Sequence, residues 1–357
     1  MEESMVQSVL PHFFPEGSVK SCCRYGCGHI NETYLVVTKK GRRYILQRIS
    51  SRAFPDVEGL QENIAAITQY LHSILDNPNA ALTLIPTLDG KNWYHQGIDS
   101  DWRVFAFIEG SVCLQAPQCP EDLYQSAIAF GSFQQQLSGF PAETLHETIR
   151  NFHNTPDRYR IFRETLEKDP MGRAASAERE IAFALEHEPV GGKLTQMLRD
   201  GVLPLRVTHN DTKLNNVMLD EKTHTPLCVI DLDTTMPGLS AYDFGDSIRF
   251  GAATAAEDET DLSKMEMDLD LYRIFTRGFL RACPALTQAE RKSLPLGALT
   301  MTLECGVRFL TDYLDGDHYF GTAYPEHNLH RCRTQFKLVA DMEQKWKEME
   351  QIIEEET

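Results

Sequence analysis

No stretch of this chain approaches the roughly 20 apolar residues of a membrane-spanning helix, so no membrane partner is expected. The opening Met1-Glu2-Glu3-Ser4 has neither a basic start nor an apolar run, and no signal peptide is expected either. Positive charge is scarce: 35 Lys and Arg stand against 52 Asp and Glu, a formal net charge of -17. That sign argues against nucleic acid as a main partner, while a local basic cluster can still take a small anion. The nine cysteines are scattered and odd in number, which fits free thiols in a reducing cytoplasm better than a disulfide framework. Cys22, Cys23, Cys27 and His29 lie close together but lack the second paired cluster of a zinc site. There is no internal repeat and no low-complexity linker.

What is present is a globular balance, 42% hydrophobic and 24% charged, in a chain long enough for two lobes. Residues 5–14 read as a short helix with Met5, Val6, Val9, Leu10 and Phe13 apolar. A Gly26-x-Gly28 turn follows, then a β-rich run to Val37, a turn at Lys39–Arg42 and a strand at Tyr44–Arg48. Phe54-Pro55-Asp56 opens a helix carrying Leu60, Ile64, Ile67 and Leu71 at helical spacing, and Pro78 ends it. Leu84–Thr87, Asn92–His95 and Trp102–Ile108 read as strands, the last stopped by Glu109-Gly110. After Gly110 helical periodicity takes over, at 121–138, 176–200, 266–283, 295–316 and 331–354; strands return only in 205–235. An α+β chain is expected, with a small β-rich N-lobe over 1–110 and a larger, mainly helical C-lobe over 111–357. The acidic stretches 257–270 and 348–355 read as solvated.

One stretch concentrates the chemistry. His209-Asn210-Asp211 follows an apolar strand, Asn216 comes five residues later, and Asp231 closes the apolar strand Leu227–Ile230. Phosphoryl transfer needs a group that orients or deprotonates the attacking hydroxyl, oxygen ligands for Mg2+, cover over the phosphates, and positive charge. Asp211 suits the first need. Asn216 and Asp231 suit the second, because Mg2+ prefers oxygen ligands and takes few from the protein. Each Asp alone is more often a turn former or cap; the combination carries the reading.

His209-x-Asp211-x4-Asn216 with Ile230-Asp231-Leu232-Asp233 resembles the aminoglycoside phosphotransferase and choline kinase superfamily, relatives of the protein kinases. Within it, the stretches 25–31, 44–48, 206–216, 243–250, 304–309 and 324–329 resemble the N-acetylhexosamine 1-kinases, so that the likeness runs over about residues 20–345. The resemblance implies a two-lobed protein-kinase-like fold, ATP and Mg2+ as cofactors, and phosphorylation of the anomeric (C1) hydroxyl of GlcNAc or GalNAc. It implies Asp211 as catalytic base with Lys213 beside it, and Asn216 and Asp231 as metal ligands. Asp233, two residues beyond Asp231, is expected to face the same way on an extended segment, as a second ligand or its partner. Gly26 and Gly28 would let backbone approach the phosphates. Phe107 and Ile108 would meet adenine, and His29, Thr234, Arg308 and Tyr319, with Asp211, would contact the sugar. A cytoplasmic enzyme acting on a small-molecule sugar, as a monomer or weak dimer, is the resulting expectation.

Two departures stand out. Protein kinases place a Lys on the third strand, paired with an acid of the first long helix. Here Gln47 occupies that register, or Arg48 if the strand slips by one, and the helix acid is Glu62 or Glu58. A neutral Gln supplies no charge, so Arg48, Lys213 or the metal must. The second departure is Cys27 in the phosphate loop, expected to stay protonated beside triphosphate. Two other readings remain open: a related kinase acting on choline, homoserine or an aminoglycoside, and a silent ATP-binding pseudokinase.

Overall fold

The computed structural model describes residues 2–26, 30–97 and 100–357. Gly28 and His29, expected at the phosphate loop and the sugar, lie outside the described residues, as does Cys27. The chain divides into two compact units. One comprises Met1–Cys113, Gly139–Arg150 and Val217–Pro237; the other comprises Leu114–Ser138, Asn151–Asn216 and Gly238–Thr357.

The first unit is built on β1 (Val19–Arg24), β2 (Glu32–Thr38), β3 (Arg43–Ile49), β4 (Leu84–Ile85), β5 (Tyr94–His95) and β6 (Asp101–Ala106). Their sheet runs β1-β2-β3-β6-β4, with β5 also paired to β6. α1 (Glu2–Phe13) lays Val9 and Phe13 against Tyr34, Val36, Leu46, Trp102 and Val104. Each such side chain contributes about 1.5–3 kcal/mol on burial. α2 (Val57–Ile74) starts where Asp56 accepts a hydrogen bond from the Gly59 N–H at 2.9 Å, and it turns Leu60, Ile64, Ile67 and Leu71 inward. β7 (Ser111–Cys113), β9 (Val217–Asp220) and β10 (Pro226–Val229) form a second sheet in the order β10-β9-β7. The hairpin that leads to Asp231 therefore has one edge covered by a strand of its own unit, which leaves fewer backbone groups unpaired.

The second unit is mainly helical: α3 (Pro120–Gln136), α4 (Thr155–Lys168), α5 (Glu178–Gly191), α6 (Lys193–Arg199), α7 (Ser240–Gly251), α8 (Leu269–Ala282), α9 (Gln288–Asp315), α10 (His327–Gln344) and α11 (Trp346–Glu356). β8 (Arg206–Thr208) leads into the His209 loop, and the chain passes back into this unit within β11 (Met236–Gly238). α4 and α7 stand outside the expected periodic segments, for opposite reasons. α4 buries only Thr155, Tyr159, Phe162 and Thr165, too few apolar residues to make a stripe. α7 is buried at every residue from Ser240 to Arg249, so it has no polar face to alternate against. Its Gly245 lies against the Gly297 backbone of α9, where a Cβ has no room.

Candidate active site

In the second unit, Asp211 sits on a loop whose backbone is held from below by α7. The Asp243 carboxylate accepts the N–H of His209 at 2.9 Å and of Asn210 at 2.8 Å, and also the Gln134 amide at 2.8 Å. Asp246, one turn on, accepts the Thr212 N–H at 2.9 Å, and Thr212 Oγ1 donates to the Asp243 carbonyl at 2.7 Å. Asn210 takes a left-handed φ of 64°, a strained bend that this clamp holds. His209 is fully buried, edge-on to Phe130 and Phe133. The two anchoring acids differ in charge environment. Burial pushes the Asp243 carboxyl above the ordinary range. Burial acts the same way on Asp246, but Arg249 and then Lys213 outweigh it and hold that carboxyl low.

The Asp211 carboxylate is pinned on both oxygens. Asn216 Nδ2 donates to Oδ2 at 3.0 Å and to the Asp211 carbonyl at 2.8 Å; Lys213 Nζ lies 2.9 Å from Oδ1. Burial opposes the Lys213 charge, but Asp211 and Asp246 outweigh it and hold the ammonium above its ordinary range. With its amide nitrogen spent on Asp211, Asn216 keeps its carbonyl oxygen as a donor for a hard cation.

In the first unit, Asp231 takes a left-handed φ of 59° and opens a short 3-10 turn, Leu232–Thr234. The segment is thus not extended, and the expected common facing of Asp231 and Asp233 does not hold. Asp231 is exposed, whereas Asp233 is buried. The Asp233 carboxylate accepts both Arg103 nitrogens, at 2.5 and 2.9 Å, and the Asn31 amide at 2.5 Å. These bonds occupy the oxygens that a metal would use. Arg103 in turn donates from Nε to Gln47 at 2.9 Å, and Gln47 to Thr33 at 3.2 Å. The missing strand cation therefore stands on β6, directly opposite Gln47 in register. Gln47 is its neutral relay, and Arg48 pairs with Glu32 at 3.2 Å instead. Glu62 does not face this network: it is exposed and meets His146 at 2.7 Å. Glu58 is exposed too. The polar residue that α2 turns inward is Gln61, whose amide atoms are buried without a hydrogen-bond partner among the described residues.

Phe107 and Ile108 follow β6 directly. The Phe107 N–H donates to the Arg43 carbonyl at 3.3 Å, and the Ile108 carbonyl accepts the Ser111 hydroxyl at 2.6 Å. Gly26 has a φ of 77°, open to glycine at little cost, with no atom within 4 Å of where a Cβ would stand. Thr234 lies half-buried in the 3-10 turn. In the second unit, Arg308 is ringed by aromatics: its guanidinium lies 5.6 Å from the Phe152 ring centre, 5.5 Å from Tyr319 and 5.4 Å from Phe320. It donates to the Tyr319 hydroxyl at 3.4 Å.

A strand-end carboxylate clamped from a following helix, with an Asn five residues on, is what the comparison with known proteins meets. Residues 21–282 match the family model described as the phosphotransferase enzyme family. The chain belongs to that family. Its fold is shared with small-molecule kinases. A microcompartment-associated aminopropanol kinase matches with a TM-score of 0.66 at 18% identity, over 97% of this chain and 98% of its own. An aminoglycoside phosphotransferase from Alicyclobacillus acidocaldarius matches at 0.60 and 15% identity, over 98% and 96%. A choline kinase from Cryptosporidium parvum matches at 0.57 and 13%, over 98% and 96%. Similar structures include complexes with ADP and with GDP.

Several residues of this phosphotransferase escaped sequence reasoning. Arg103 pairs with a residue 130 positions away, which no local pattern discloses. Asp243 and Asp246 were quoted only as part of a similar stretch; their one-turn spacing (three residues) at the start of a helix was a usable signal. Arg158 and Glu304 lie close to Arg308, and His153 bonds Glu304 at 2.9 Å, a cluster assembled from α4, α9 and the turn before α4.

Proposed function

We propose that this phosphotransferase moves the terminal phosphate of ATP to the anomeric hydroxyl of an N-acetylhexosamine, giving the sugar 1-phosphate and ADP. The bond from O1 to phosphorus forms as the bridging oxygen–phosphorus bond to ADP breaks, and the hydroxyl proton passes toward Asp211. The anomeric hydroxyl is more acidic than an ordinary alcohol, so a carboxylate held on two sides suffices as an orienting base. Lys213 offsets charge beside it. Asn216, through its carbonyl oxygen, and Asp231 are the proposed ligands of magnesium, which when bound neutralises phosphate charge. Asp233 serves the first unit as the counter-ion of Arg103. Phe107 and Ile108 are the proposed adenine contacts, and Thr234, Arg308 and Tyr319 the proposed sugar contacts.

The observation that carries the choice of acceptor is Arg308 among Phe152, Tyr319 and Phe320, in the unit that holds Asp211. Arg158 stands near it: burial, and then the charge of Arg308, hold the Arg158 guanidinium below its ordinary value. The one buried acid of this cluster, Glu304, already serves His153 and Thr155, at 2.9 and 2.7 Å. Two guanidiniums and aromatic walls suit a neutral polyol rich in acceptor oxygens, and they repel a quaternary or primary ammonium. ATP consumption measured over GlcNAc, GalNAc, choline, homoserine and kanamycin tests this. Turnover with the two N-acetylhexosamines alone is expected. Turnover with a cationic acceptor instead would overturn the sugar assignment.

A further inference from the structure

His153 is a histidine that the phosphate chemistry does not use and whose surroundings are built around it. Its side chain is 7% exposed. Nδ1 lies 2.9 Å from Glu304 Oε1, and the other Glu304 oxygen accepts the Thr155 hydroxyl at 2.7 Å. Glu304 stays ionised: burial raises its carboxyl, but His153 outweighs this and Arg308 and Arg158 add to it, holding it below the usual Glu range. An ionised carboxylate only accepts, so Nδ1 carries the proton toward Glu304. In the neutral ring Nε2 is then a bare lone pair. That nitrogen is buried and has no hydrogen-bond partner.

The ring is fixed on its faces as well. Phe152 packs at 4.5 Å between centroids and Tyr242 of α7 at 5.3 Å. Phe152 is also one of the three rings around Arg308. Tyr242 is the neighbour in sequence of Asp243, which clamps the Asp211 loop. The imidazole is thereby tied on one side to the Arg308 cluster and on the other to the helix that anchors the catalytic loop. A buried polar atom left unpaired costs about 1–3 kcal/mol. A fold that orients such an atom through two successive acceptors and two aromatic faces has a use for it.

We propose that His153 Nε2 accepts a hydrogen bond from the acceptor molecule, a hydroxyl or amide N–H of an uncharged polyol, and so helps to set acceptor specificity. The proposal rests on the sugar reading for the identity of that molecule. Because Nε2 presents a lone pair, it rewards a donor on the substrate, while Arg158 and Arg308 reward acceptors. The pair of requirements is met by a sugar hydroxyl or acetamido group, which offers both.

Two isosteric variants separate this role from a structural one. In His153→Asn the amide nitrogen replaces Nδ1, so the bond to Glu304 survives and only Nε2 is removed. In His153→Gln the amide reaches the position of Nε2, while the bond to Glu304 is lost. KM for acceptor should rise about tenfold to a hundredfold in His153→Asn with KM for ATP unchanged, and Tm should hold. His153→Gln should lose Tm and keep KM for acceptor within about threefold. Comparing N-acetylglucosamine with glucose in both proteins identifies the donor: a loss confined to the acetylated sugar assigns the amide, an equal loss a hydroxyl. In the wild-type enzyme labelled with 15N-histidine, the Nε2 resonance should shift on adding acceptor in the absence of ATP. An unchanged KM in His153→Asn with an unmoved Nε2 signal would overturn the proposal. If the wild type takes some other acceptor, the sugar reading fails, and the same two variants assayed with that acceptor still decide the role of His153.

Discussion

The two units anchor their acidic residues by different physics. In the first, Asp233 is buried against Arg103 in a charge-to-charge fork, with Asn31 and Gln47 completing the ring of bonds. In the second, Asp243 is buried against backbone N–H groups and an amide, and its carboxyl is pushed up rather than down. A fork of side chains fixes one side chain against another. A carboxylate on successive N–H groups fixes the path of the chain, which is what a loop carrying a catalytic Asp requires. The working acids, Asp211 and Asp231, are in each case the less buried neighbours of these anchors.

The largest expected effect comes from the working acid itself. Asp211→Asn should lower turnover by roughly 10²–10⁴ while KM for ATP stays close to wild type. Near-normal turnover would remove Asp211 from the chemistry and leave the second unit's clamp without a purpose.

The next variants act on the anchors. Arg103→Met leaves the Asp233 charge buried and alone, and should cost about 3–5 kcal/mol in urea unfolding. Adding Asp233→Leu to it should restore most of that loss, because both charges are then gone. If the double variant is as unstable as the single, the fork is not the first unit's anchor. Asp243→Ala strands two backbone N–H groups and the Gln134 amide; a loss of order 1–3 kcal/mol is expected, together with a fall in turnover, read by thermal melts and steady-state kinetics. Full activity there would contradict the clamp.

The smallest effect is one of pH. The Glu304 carboxyl is held below the usual Glu range in the fold. On acidification the unfolded chain takes up a proton that the folded chain refuses. The stability from Glu304 is thus fully present above the unfolded value and is lost as pH falls through it toward the folded value. Melting temperature between pH 6 and about 3.5 should fall less steeply in Glu304→Gln than in wild type. Parallel slopes would mean that Glu304 is not held low.

The same contrast explains what could be read from the chain. The His209–Asn216 loop and the approach to Asp231 were legible because strand, turn and polar residues are contiguous. The start of α2 at Asp56 and its end before Pro78 were legible from capping and breaker residues. The facing of Asp233 was misjudged because a left-handed residue at Asp231 breaks strand alternation, and nothing but the fold requires that bend. The cation opposite Gln47 was sought on its own strand because strand order is not a local property: β3 pairs with β6, more than fifty residues on. α7 was illegible because a helix buried all round carries no period.

The central claim is the site of phosphorylation, and the product reports it directly. Wild-type enzyme incubated with ATP, Mg2+ and N-acetylglucosamine should yield a 31P signal coupled to the anomeric proton, with loss of the reducing end. A phosphate coupled to the C3, C4 or C6 position, with the reducing end intact, would contradict the account.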